Sequence, residues 1–169
     1  CKRMAELGGA LEEAKDQLGQ LRDDPASWLE CYTDGKGSTQ GFLVDQLYRS
    51  LETWVSGLDD EPEAHQAYGL IRRSYETYCH RSAEGFTKAL VKHGWQVPGW
   101  MSQTRVFEDE VRPKPVKKAF LLVDALRYEM GASLAARLAE IVEDLRLRPV
   151  LAALPSITPV GMAALMPGA

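Results

Sequence analysis

The segment Lys118-Ala-Phe-Leu-Leu-Val-Asp-Ala-Leu-Arg-Tyr-Glu129 constrains this chain more than any other. Phe120 to Val123 is a short, continuously apolar run. A parallel strand covered on both faces reads this way, because neither face meets water. The run stops abruptly on Asp124. Beyond it, Met130, Leu134, Leu138 and Ile141 recur at steps of three and four, which is one face of a helix over about residues 129–142. A strand therefore ends in an acid, a short loop follows, and a helix leads away. In open α/β sheets ligands bind at the carboxyl ends of the strands. Asp124 is thus placed to hold a metal ion or a substrate hydroxyl.

A second stretch, residues 145–168, repeats the pattern. Val150 to Leu154 reads as a strand that Pro155 ends. Thr158 precedes Pro159, and proline favours the first helical position. Thr158 is then a natural N-cap, with its hydroxyl at the positive end of a helix, where phosphate binds readily. The two stretches together make a β-α-β unit, which should be right-handed with parallel strands. Each residue also has a structural reading. Asp124 caps the following helix or pairs with Arg127, and Thr158 is only a cap. Ser156 is a fallback hydroxyl, but it lies inside the turn. Glu129 caps or pairs. No Gly-x-Gly-x-x-Gly follows the first strand, so a dinucleotide fingerprint is absent.

The pair "LLVDALRYEMG" (121–131) and "ALPSITPVGMAALMPGA" (153–169) closely resembles the start of the PglZ domain. That domain occurs in bacterial phage-defence systems of BREX type and belongs to the alkaline phosphatase superfamily. The resemblance covers about residues 116–169 and is weaker before that. It implies that Asp124 ligates a metal. It also implies that Thr158 is the nucleophile or a metal-binding hydroxyl, and that Arg127 meets a substrate phosphate. The implied cofactor is a divalent ion, Zn or Mn, with further Asp and His ligands beyond residue 169. The implied activity is metal-dependent phosphohydrolase or phosphodiesterase chemistry on a phosphate ester or nucleic acid, with other phage-defence proteins as partners. The alternative is a non-catalytic scaffold that docks partners through its helical region. The first residue is Cys and the last three are Pro-Gly-Ala, so the chain reads as a piece of a longer protein, inactive by itself.

The expected fold is mixed. An α-helical region over 1–112 precedes the first β-α-β-α portion of an alkaline-phosphatase-like parallel-sheet domain over 113–169. In the helical region Met4, Leu7, Leu11, Ala14, Leu18 and Leu21 form a heptad seam. Its readings are a packed helix or a coiled-coil partner surface. Asp23-Asp24-Pro25 breaks that helix and starts another carrying Trp28, Leu29 and Tyr32. A third helix runs from Phe42 to Leu58. A fourth, from about Glu63 to His93, follows Pro62, with Gly85 as a candidate bend. The loop at 33–38 contains Gly-Lys-Gly-Ser but lacks the strand and spacing of a P-loop. His65, His80 and His93 have no second ligand at helical spacing, so surface or structural roles are expected. Residues 105–118 read as a linker with its boundary at Pro113–Pro115.

Composition narrows the setting. A net charge of −4 argues against wholesale electrostatic binding of nucleic acid and leaves local basic patches open. Three widely spaced cysteines contain no Cys-x-x-Cys pair, which favours a reducing, cytoplasmic setting. No apolar run approaches the roughly 18–20 residues of a membrane span.

Overall fold

The computed structural model describes residues 2–21, 23–33, 39–58, 61–113 and 115–168. The chain divides into two compact units, Cys1–Pro98 and Gly99–Ala169. The division therefore falls on the N-terminal side of the Pro113–Pro115 stretch.

The described residues of the first unit form four helices: α1 (Lys2–Leu18), α2 (Pro25–Thr33), α3 (Gly41–Ser56) and α4 (Pro62–Lys92). The heptad seam of α1 is spent inside the unit, where α1 packs on α3 and α4. Leu7 and Leu11 are fully buried with Val44 and Leu51, and Met4 and Leu18 pack against that core. Each such leucine contributes about 1.5–3 kcal/mol by leaving water. Helix α2 is capped by Asp24, whose carboxylate accepts from the Ala26 and Ser27 amides at 3.3 and 3.1 Å. Pro62 occupies the first turn of α4, where its missing N–H costs nothing. The Gly-Lys-Gly-Ser loop at 34–38 and the turn at Asp59-Asp60 lie outside the described residues.

Helix α4 continues unbroken past Gly85. What Gly85 provides is room. The Trp28 indole lies against its backbone, and a Cβ there would stand within 2.9 Å of Trp28 Cζ3 and closer to Cη2. An interlocked aromatic ladder supports the same region. Tyr48 and Tyr75 stack with centroids 3.8 Å apart, and the Tyr48 and Tyr68 hydroxyls meet at 3.1 Å.

The second unit corrects the expected fold class. It contains a 3-10 turn (Gln103–Arg105), a π-helical turn (Phe107–Val111), α5 (Tyr128–Leu138) and α6 (Thr158–Ala164). Among the described residues there is no strand and no sheet, so the α/β parallel-sheet start is not what forms. The reason is the cost of a strand's backbone. Its N–H and C=O groups need a partner strand, and an isolated pair is marginal at best. Residues 120–123 form no ladder with another described segment, and their side chains remain 38–77% exposed. The other expected strand touches a different segment. A single parallel bridge joins Leu151 to Ser102, with Leu151 N–H donating to Met101 O and Gln103 N–H donating to Leu151 O, both at 2.8 Å.

The segment read as a linker is ordered into turns by short-range ion pairs. Arg105 pairs with Asp109 at 2.7 Å and Arg112 with Glu108 at 2.8 Å. Such spacing lays opposite charges on one face of a helical turn. Phe107 and Phe120 meet at a centroid distance of 6.0 Å, which ties the start of the apolar run to these turns.

Candidate functional site

The two motif loops of the second unit meet over one cavity of about 770 Å³. Asp124, Arg127, Ser156 and Thr158 all line it, with Gln103 on the same wall. The sequence separates Asp124 from Thr158 by a helix and a return segment, and the fold brings them into hydrogen-bond contact.

Asp124 is set by the residue after it. Ala125 has φ +53°, in the left-handed region that costs a residue with a Cβ roughly 1–2 kcal/mol. That turn points the Ala125 N–H at Asp124 Oδ1, 2.9 Å away. The second carboxylate oxygen, Oδ2, accepts from the Thr158 hydroxyl at 3.1 Å. Both oxygens of Asp124 are therefore held, one by backbone and one by the other motif. Strained backbone of this kind is found at sites where a side chain must be aimed.

Thr158 is the first residue of α6, and Ile157 occupies the cap position. Its hydroxyl does not cap its own helix but is turned to Asp124. The helix has only seven residues, so its dipole is short.

Arg127 precedes α5 and pairs with Glu129 at 2.8 Å. The Arg127 side chain is 62% exposed, whereas the Glu129 carboxylate is completely buried. Glu129 lies in the first turn of α5, where the helix dipole favours a negative charge. Of the two structural roles open to Glu129 in the sequence, it takes pairing. Arg127 occupies one side of its guanidinium in that pair, and a guanidinium carries five donors in all.

Sequence reading missed Gln103. Its Oε1 accepts from the Ala153 N–H at 2.9 Å, and its Nε2 donates to Gly161 O at 3.2 Å. One amide thus bridges the segment before the Pro155 turn to α6, holding the loop that carries Ser156 and Thr158. A lone glutamine between Ser102 and Thr104 gives no sequence signal for this.

Asp124 and Thr158 offer two converging hard oxygens, the donor type that Zn or Mn accepts in mixed oxygen and nitrogen sites. A closed zinc site takes four ligands. No group of three or more His, Cys, Asp or Glu suited to a metal occurs among the described residues. The pair therefore fits part of a metal site and does not complete one.

Residues 103–169 match a family described as the BREX system PglZ alkaline phosphatase-like domain. Residues 103–169 therefore carry a PglZ-type domain. The chain is also 39% identical over 162 residues to the alkaline phosphatase-like protein BrxZ of Escherichia coli O9:H4 (strain HS). That similarity covers 85% of this chain, so it extends into the helical unit, but only 18% of the relative. No solved structure matches the chain significantly. No helix among the described residues is long and apolar enough to cross a membrane.

Proposed function

We propose that this PglZ segment supplies the first two functional groups of a metal-dependent phosphoester hydrolase acting in phage defence. The single observation that carries the reading is the Thr158 hydroxyl donating to Asp124 over a common cavity. A threonine is a weak nucleophile unless a base or a metal acts on its proton. Here the proton is already directed at a carboxylate. Asp124 accepts it as the hydroxyl oxygen bonds to phosphorus and the ester P–O bond breaks to release the alcohol; water then cleaves the phosphoryl–Thr158 bond and the hydroxyl regains its proton, while the Ala125 turn keeps the carboxylate from rotating away. Arg127 neutralises charge on the phosphoryl oxygens with the donors not used by Glu129. A divalent ion, Zn or Mn, held by Asp124 and Thr158 with further ligands from the longer protein, supplies Lewis-acid stabilisation when bound. The substrate is a phosphate ester or diester, with nucleic acid as one such diester, and the partners are other proteins of the same defence system.

The test is hydrolysis of bis(p-nitrophenyl) phosphate by the longer protein that carries this segment. The expected result is activity that a chelator removes, that Zn or Mn restores, and that Asp124→Asn lowers about a hundredfold. A well-folded wild-type protein with no activity under any of these ions overturns the enzyme reading and favours a non-catalytic scaffold docking partners through the helical unit.

A further inference from the structure

The helical unit holds a second cavity, of about 260 Å³, which the phosphoester reading does not use. Its walls include Trp28 and Tyr32 from α2, Tyr78 and Phe86 from α4, and the Asp45 carboxylate from α3. Four aromatic side chains and one carboxylate thus line the same small cavity. Two close backbone approaches help build the walls. Gly85 leaves room for the Trp28 indole, and Gly41 brings the start of α3 against Tyr32 and Tyr78, where a Cβ would stand 2.8 Å from Tyr32 Cδ2.

The charge on Asp45 is only partly answered. The Tyr32 hydroxyl donates to Oδ2 at 2.6 Å and the Tyr75 hydroxyl to Oδ1 at 2.8 Å. Burial, reinforced by the Asp45 charge itself, holds the Tyr75 and Tyr78 phenols protonated well above their ordinary range. Phenols satisfy lone pairs but add no positive charge. No Lys, Arg or His pairs with Asp45 among the described residues. Aromatic faces attract a cation through their quadrupoles, most strongly where water is excluded. Pockets for drug-sized ligands run to about 300–1,000 Å³, so this one suits a single small group.

We infer that this cavity is a binding site for an organic ammonium group, seated among Trp28, Tyr32, Tyr78 and Phe86 and neutralised by Asp45. The group belongs either to a small free amine or to a lysine side chain of a partner polypeptide. The chemistry is the same in both cases: a compact cation with an apolar periphery.

The test uses the full 169-residue chain and follows the Trp28 indole N–H resonance, assigned with Trp28→Phe. The probes are choline, Nα-acetyl-lysine methylamide and the uncharged choline isostere 3,3-dimethylbutan-1-ol. At least one cationic probe should shift the resonance saturably, with the isostere about tenfold weaker or worse. Choline binding alone assigns the site to free amines, and binding of the lysine derivative assigns it to a side chain. Asp45→Asn should weaken the cation about tenfold and leave the isostere unchanged. Because Asp45 also receives two phenols, Ser82→Lys serves as a second variant. It places a competing ammonium on the half-buried cavity wall and should block the probes without altering the circular dichroism. Equal binding of cation and isostere, undiminished cation binding by both variants, or no shift with either cationic probe overturns the inference.

Discussion

The seat of Trp28 on α4 makes a sharp prediction, because two glycines of one helix should respond in opposite directions to the same substitution. In an exposed helix, Gly→Ala gains about 0.8–1 kcal/mol through propensity alone. Gly69 has nothing within 4 Å of an added Cβ, so Gly69→Ala should realise most of that gain, about 0.5–1 kcal/mol. Gly85→Ala earns the same propensity but drives a methyl into the indole, within 2.9 Å of Cζ3 and nearer to Cη2. Overpacking of this kind costs typically 1–3 kcal/mol, and here it also displaces a half-buried tryptophan from its neighbours. The expected net change is a loss of up to about 2 kcal/mol, so the two variants should differ by roughly 1–3 kcal/mol. Urea unfolding followed by far-ultraviolet circular dichroism reads the difference, with the m-value checked for constancy. Gly85→Ala as stabilising as Gly69→Ala would refute the argument, because the indole would then not depend on the missing side chain.

Two further outcomes follow from the geometry. Gln103→Leu removes the partners of Ala153 N–H and Gly161 O and should cost about 1–3 kcal/mol. Hydrogen exchange at the Ala153 amide should accelerate, and an unchanged rate would contradict the bridging role. The second outcome concerns pH. Tyr48, Tyr75 and Tyr78 have their ionisation pushed up, chiefly by burial, so the folded chain keeps these protons while the unfolded chain releases them from about pH 10 upward. The unfolded state then binds fewer protons, so stability is intact below that pH and falls as pH rises. In a spectrophotometric titration these three phenols should ionise only together with loss of helix, and their ionisation in a still-helical chain would contradict the burial argument.

What could be read from residues alone was what periodicity and local chemistry encode. The α1 seam at Leu7, Leu11 and Ala14, the start of α4 at Pro62 and the helix following Asp124 all follow from spacing and turn residues. The apolar run Phe120–Val123 misled, because apolarity describes the company a segment needs and not whether that company is present. Among the described residues no strand pairs with it, and it stays exposed. The meeting of Asp124 and Thr158 rested on the two motifs appearing in order, whereas the left-handed turn at Ala125 and the Gln103 bridge left no pattern in the sequence. Gly85 was visible as a break in helix propensity, but its purpose depended on Trp28, more than fifty residues earlier. Long-range fit of that kind cannot be recovered from one segment's periodicity.

The most direct test of the central claim is the fate of the phosphoryl group. The longer protein would be acid-quenched during turnover of bis(p-nitrophenyl) phosphate, and the peptide carrying Thr158 examined by fragmentation mass spectrometry. The account predicts a p-nitrophenyl phosphodiester on Thr158 Oγ1 in the wild type, one p-nitrophenolate having left, with turnover lost in Thr158→Ala and partly retained in Thr158→Ser. Wild-type turnover rates in Thr158→Ala would contradict it, because the hydroxyl that Asp124 holds would then have no part in the reaction.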